Sequence, residues 1–149
     1  MTTYENAVNE IFSLFNTKWQ ANTTAIVGYI PTVFWQGVKE PNLPDSSKYW
    51  ARISTRMVLE QQSSISACVG PEGMKKYESV GIVTVQLFCP QSDIQVGARG
   101  RKLAQMVKNI FRRRSTNVWF LDSTLQELSP EPSWFRFNIT AELHFEEVY

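Results

Sequence analysis

Histidine and cysteine are scarce in this chain: His144, Cys68 and Cys89 are all there is of them among 149 residues. Two cysteines make no disulfide framework and point to a reducing compartment. A zinc-type centre needs three or four nitrogen and sulfur ligands at close spacing, which this inventory cannot supply, so no metal and no other cofactor is expected. No apolar run approaches the roughly 20 residues that cross a bilayer, so no membrane partner is expected either. The opening Met1-Thr2-Thr3-Tyr4-Glu5 has neither a basic stretch nor an apolar one, which argues against a signal peptide. The Asn-x-Thr triplets at Asn22 and Asn138 then lose their meaning as glycosylation sites. Charge of one sign is also lacking, since the net is +1 and nothing in the total demands nucleic acid or lipid. What is present is a globular composition: 43% hydrophobic, 13% aromatic and 19% charged. That excludes a disordered tail, a coiled coil and a collagen-like repeat, and fits one soluble, intracellular domain spanning 1–149.

The apolar spacing predicts the elements. Val8, Ile11, Phe12, Phe15 and Trp19 recur at three and four, which gives a helix from Tyr4 to Trp19 with Thr2 and Glu5 as its capping box. Gln20 to Thr24 is polar and should end it. Ile26–Ile30 and Val33–Val38, separated by Pro31, read as two short strands or one broken edge strand. From Tyr49 the period becomes two, with Ala51, Ile53, Thr55, Met57 and Leu59 on one side and Arg52, Ser54, Arg56 and Glu60 on the other. Glu78 to Phe88 is apolar on both faces and therefore central in its sheet. Between these strands lies a long segment, Gln61–Lys76. Ser92 with Gln95 should cap a helix that runs to Arg114, in which Gly97 and Gly100 allow close approach to a neighbour. Val118–Leu128 is a further strand. Phe135, Phe137, Ile139, Ala141, Leu143 and Phe145 alternate with polar partners in the last one. The fold class is α+β: an antiparallel, or mixed, sheet with two main helices packed on one face. The other face would carry Arg52, Ser54, Arg56, Arg136, Asn138, Thr140, Glu142 and His144.

A search for reactive groups finds little. His144 reads either as a catalytic base or as a solvated strand residue, and the pattern favours the second. Gly70-Pro71-Glu72-Gly73 lacks the Gly-Lys-Ser/Thr ending of a phosphate loop. No catalytic residue is assigned. Charge is unevenly spread, however. Asp93–Arg114 holds seven basic residues against one acidic, a net of +6, which leaves −5 for the remainder. Three readings stand: a solvated helix face completing the helix dipole, a surface for an acidic partner or a phosphate backbone, or a subunit contact with the acidic C-terminal part of a second copy. Gln61–Lys76, too long for a simple hairpin connection, is either a decorative loop or an arm that orders on another chain.

Phe34-Trp35-Gln36-Gly37, the Pro41/Pro44 loop leading into Tyr49-Trp50-Ala51-Arg52-Ile53, the run Tyr77 to Phe88 and the basic helix with Gly97 and Gly100 together resemble the tail terminator and tail-completion proteins of long-tailed bacteriophages. The resemblance extends from about Tyr4 to Phe145 and rests on strand and helix patterns. It implies a structural virion protein, not an enzyme. Its copies would form a ring, commonly a hexamer, on the last ring of the tail tube, stop tube polymerisation and meet the neck of the head. The implied partners are other copies, the tail tube protein and the head–tail connector, with DNA passing through the ring without sequence-specific contact. The place would be the head-proximal end of the tail, after assembly in the host cytoplasm. On this reading Arg101, Lys108, Arg112 and Arg113 would meet Glu142 and Glu146 of the next copy. The arm, through Gly70, Glu72, Lys75 and Lys76, would reach the tube or neck. A head–tail joining or minor tail protein is the nearest alternative, and a small enzyme built on Cys68, Cys89 or His144 the more distant one.

Overall fold

The computed structural model describes residues 2–40, 42, 44–64 and 73–149. Helix α1 (Tyr4–Val27) comes first, then β1 (Thr32–Trp35), β2 (Trp50–Gln62), β3 (Lys76–Pro90), helix α2 (Val96–Ile110), β4 (Trp119–Glu127) and β5 (Trp134–Val148). The strands form one mixed sheet in the order β1-β2-β3-β5-β4. β1 runs parallel to β2, and every other neighbouring pair is antiparallel. The fold is α+β, and β3 is its middle strand, as its two apolar faces require. Cys68, Gly70 and Glu72 lie outside the described residues.

Helix α1 is longer than its apolar stripe. Its last turns are held by packing, since Thr23 is buried and Ile26 and Val27 lie against the core; Thr23 Oγ1 donates to Trp19 O at 2.7 Å and Asn22 Nδ2 to Lys18 O at 2.8 Å, which satisfies these polar groups within the helix. The helix stops at Gly28, in the left-handed region at φ 87°, whose N–H bonds Thr24 O. Ile26 and Val27 therefore end a helix instead of starting a strand, and β1 is a single four-residue strand. At the other end Thr3, not Thr2, is the N-cap and accepts from the Asn6 N–H. Thr2 instead donates its backbone N–H to Glu146 O. The buried line is Ala7, Ile11, Phe15, Trp19 and Thr23, one position off the expected Val8.

Helix α2 departs in a related way. The expected Ser92/Gln95 box does not form. Asp93 takes its place, accepting from the Gln95 N–H at 2.9 Å and pairing with Arg99 at 3.0 Å. The helix ends at Ile110, and 111–113 form turns. Gly100 faces the sheet so closely that a Cβ there would stand 2.9 Å from Phe137 Cε2 and 3.2 Å from Cys89 Sγ. At Gly97 a Cβ would meet only the Arg101 guanidinium, at 3.4 Å, so the close approach belongs to Gly100 alone.

One core joins both helices to the same face of the sheet, with Phe15, Trp19, Leu103, Val107, Ile53, Val85, Leu87, Phe137, Ile139 and Leu143 buried in it. β3 and β5 pair from Lys76↔Val148 to Pro90↔Trp134, which makes them the spine of the molecule. β2 carries a bulge between Met57 and Leu59. The extra residue turns Leu59 outward, 52% exposed, where strict alternation places it in the core. Gly81 stands opposite the bulge, and a Cβ there would lie 2.6 Å from Arg56 O.

Candidate functional site

Three surfaces lie outside this core: the open face of the sheet, its two edges, and the outer side of the helix pair. The open face repeats short polar side chains from strand to strand. Ser54, Thr84, Thr140 and Thr124 form one cross-strand row, and Arg52, Gln86, Asn138 and Gln126 another. Thr124 and Thr140 hydroxyls meet at 3.0 Å. At one end of the face Trp50 stacks on Phe88 with centroids 3.8 Å apart, beside Phe34 and Trp134, and the Arg52 guanidinium lies above both stacked rings. Trp50, Phe88 and Trp134 lie up to 84 positions apart in the sequence and meet only through pairing of β2, β3 and β5, so no local pattern announces the group.

His144 lies on that face but is not solvated. It is 8% exposed, because Trp119 pairs directly across from it and stacks on the imidazole, and Arg114 in turn covers Trp119. Nε2 lies 2.7 Å from Glu142 Oε1 and Nδ1 3.3 Å from Glu78 Oε1, so both ring nitrogens are engaged. The imidazole ties β3, β4 and β5 together. Cys89 is fully buried with its thiol free, and burial, with the nearby Asp93 charge, pushes its pKa up to about 12. Such a thiol stays neutral and out of reach. Asp93 has a depressed pKa: burial works against its charge, but hydrogen bonds from Tyr49 Oη, the Gln95 N–H and Arg99 outweigh it. Tyr49 is shifted upward by burial and by the same carboxylate. These groups form a brace between the start of β2 and the start of α2.

The two edges differ. β4 closes one side, and its bulge at Asp122, where φ is 53°, divides the edge into two short runs beside exposed Leu121. On the other side β1 covers only Trp50 to Ile53 of β2. The Gln36 side chain carries this cover on to Thr55: Thr55 N donates to Oε1 at 2.8 Å and Nε2 donates to Thr55 O at 3.0 Å, an amide standing in for a strand. Beyond Thr55 no strand pairs with this edge among the described residues, and Val58 and Leu59 are exposed beside Tyr4.

The basic residues gather on the helix layer. A groove of about 1090 Å³ between α1 and α2 is lined by Lys18, Arg101, Lys102, Arg112, Arg113 and Arg114, over a floor of Leu14, Met106 and Ile110. Among the described residues no carboxylate lines it. Of the charges expected at a subunit contact, Arg101, Arg112 and Arg113 thus share one groove. Lys108 stands apart from it; its carbonyl accepts from Ser123 Oγ at 2.9 Å. Glu142 and Glu146 sit on the sheet side and are engaged within the chain, Glu142 by His144 and Glu146 by Lys76 at 2.7 Å. Arg101 is likewise paired with Glu127 at 3.3 Å. The base of the arm is also tied down. β2 runs to Gln62 and β3 begins at Lys76, so the connection is shorter than 61–76, and Lys75 exchanges backbone bonds with Tyr149 in both directions. None of the described helices is long and apolar enough to cross a membrane.

No protein-family model and no curated protein matches the chain. Solved structures do. One of them aligns over 92% of this chain and 94% of its own, with a TM-score of 0.57 and 14% identity. A likeness at that identity shows the fold alone. The five-stranded sheet with its helices is therefore an architecture that a very different sequence also adopts.

Proposed function

We propose that this chain is a tail terminator of a long-tailed bacteriophage, whose copies join edge to edge in a ring that caps the tail tube, halts its polymerisation and meets the neck. The observation that supports this reading is the half-uncovered edge of β2, with Val58 and Leu59 exposed beside it, on the side of the sheet opposite the β4 edge and Leu121. Exposed strand edges invite pairing with another chain. Two different edges on one subunit make a head-to-tail contact, which closes into a ring when the rotation between copies fits. Strand direction agrees. β2 and β5 run one way and β3 and β4 the other, so a copy turned about an axis along the strands sets its β2 antiparallel to the β4 of its neighbour. Arg101, Glu142 and Glu146 already hold partners within the chain, so in this proposal strand edges and their apolar flanks carry the contact and the charges adjust it. The ring size, six, and the passage of DNA through its centre come from the family resemblance.

Imaging tests the reading directly. A gold-labelled copy should appear where tail meets head, and particles assembled without the protein should carry tails longer than normal. Tails of normal length that fail to attach to heads would replace termination with head–tail joining. Particles with no label at the tail–head junction would sink both.

A further inference from the structure

The groove between α1 and α2 lies on the helix layer, away from the strand edges, and the ring leaves it without an occupant. Its cations are poorly matched inside the molecule: Arg101 pairs with an exposed carboxylate, while Lys18, Lys102 and Arg113 hold no ion pair among the described residues. Beneath them Leu14, Met106 and Ile110 give the groove an apolar floor. We propose that this groove docks an amphipathic, acidic helix supplied by a partner protein. α1 lines it with Leu14, Lys18 and Asn22, spaced four apart on one helix face, and α2 lines it from Arg101 to Ile110. From Arg101 to Ile110 the α2 wall runs about 14 Å, room for two to three turns of a third helix. A helix in a groove presents an apolar stripe to the floor and carboxylates to the rim, and this groove has the complement of each.

Other occupants fit less well. A nucleic-acid backbone matches the rim but gains nothing from an apolar floor, which strips water from phosphates without replacing it. Among the described residues a second copy of this chain has no suitable helix to offer. α2 is itself basic, and α1 carries only Glu5 and Glu10, the latter already accepting from Ser115 Oγ and the Asn117 N–H. The carboxylates Glu127, Glu131 and Glu146 lie on strands or loops in ion pairs of their own.

The test uses the full-length protein and three fluorescein-labelled probes. One is a peptide of about 18 residues with leucines at helical spacing and glutamates elsewhere. The second has the same composition in scrambled order, and the third is a DNA duplex of about 20 base pairs. Fluorescence anisotropy should show the ordered peptide binding about tenfold or more tightly than the scramble and more tightly than the duplex. The double variant Arg112→Glu/Arg113→Glu, on exposed positions, should lose about tenfold or more for the ordered peptide with an unchanged far-UV spectrum. Met106→Glu should do the same by charging the floor. Equal binding of ordered and scrambled peptides would mean charge alone, and tighter binding of the duplex would mean a nucleic-acid surface. Either result overturns the proposal, as does a correctly folded double variant that binds like the wild type.

Discussion

Gly100 and Asp93 show how single side chains set the fit of α2 on the sheet. An alanine methyl at Gly100 would overlap Phe137 and crowd Cys89. Overpacking of that kind costs about 1–3 kcal/mol, which outweighs the roughly 1 kcal/mol that Gly→Ala contributes inside a helix. Gly100→Ala should therefore lower the urea midpoint. Gly97→Ala, which meets only a flexible guanidinium, should raise it. The pair separates close packing from helix propensity in one experiment. Asp93 bears on pH. Its folded pKa lies below the unfolded value, so the stability it contributes is present above the usual carboxylate range and is lost as pH falls through the folded pKa. Asp93→Asn should be less stable at neutral pH and should show a shallower fall in stability below about pH 4 than the wild type, as read from thermal midpoints across pH. Cys89, buried and with its pKa pushed up to about 12, should resist alkylation at neutral pH until denaturant is added, as followed by mass spectrometry of its own peptide.

Among the elements, β2 is the one whose behaviour departs most from its pattern. Alternation from Ala51 to Leu59 specifies a strand, but the bulge after Met57 lies opposite Gly81, and only the pairing of β2 with β3 brings those two together. The consequence is that Val58 and Leu59 reach solvent beside an unpaired edge. Leu59→Lys and Leu121→Lys should each reduce formation of the proposed ring, seen by sedimentation of the protein mixed with the proposed partner, a tail tube protein. The isolated subunit should keep its stability within about 0.5 kcal/mol, since both sites are exposed. Gln36→Ala removes the amide that bonds both backbone groups of Thr55 and should cost about 1–2 kcal/mol in the subunit. Helix α1 teaches a similar lesson. Asn22 and Thr23 read as breakers, yet their side chains bond carbonyls four residues back, and the true stop is Gly28.

In the whole molecule, charge and strand edges occupy different places, and salt tells them apart. A ring joined through strand edges and apolar flanks should keep its sedimentation coefficient from roughly 0.1 M to 1 M salt, while binding of the acidic peptide to the helix groove should fall steeply over the same range. The opposite outcome would return the subunit contact to the basic groove. Much of this architecture is legible in the chain. The alternation of Phe135 to Phe145 names the last strand, the two apolar faces of Val80 to Phe88 name the central one, and the spacing Ile11, Phe15, Trp19 names the first helix, because side-chain period reports directly on which face meets water. The concentration of arginine and lysine between Arg99 and Arg114 is equally plain in the sequence. Other features arise only when distant segments are brought side by side. His144 reads as exposed until Trp119 pairs across from it, Asp93 reads only as the one acid of a basic stretch until Tyr49 and Arg99 converge on it, and Lys18 belongs to the basic groove only because α1 packs beside α2. Period and composition are properties of neighbours along the chain, whereas covering a ring, enclosing a carboxylate and walling a groove depend on neighbours in space.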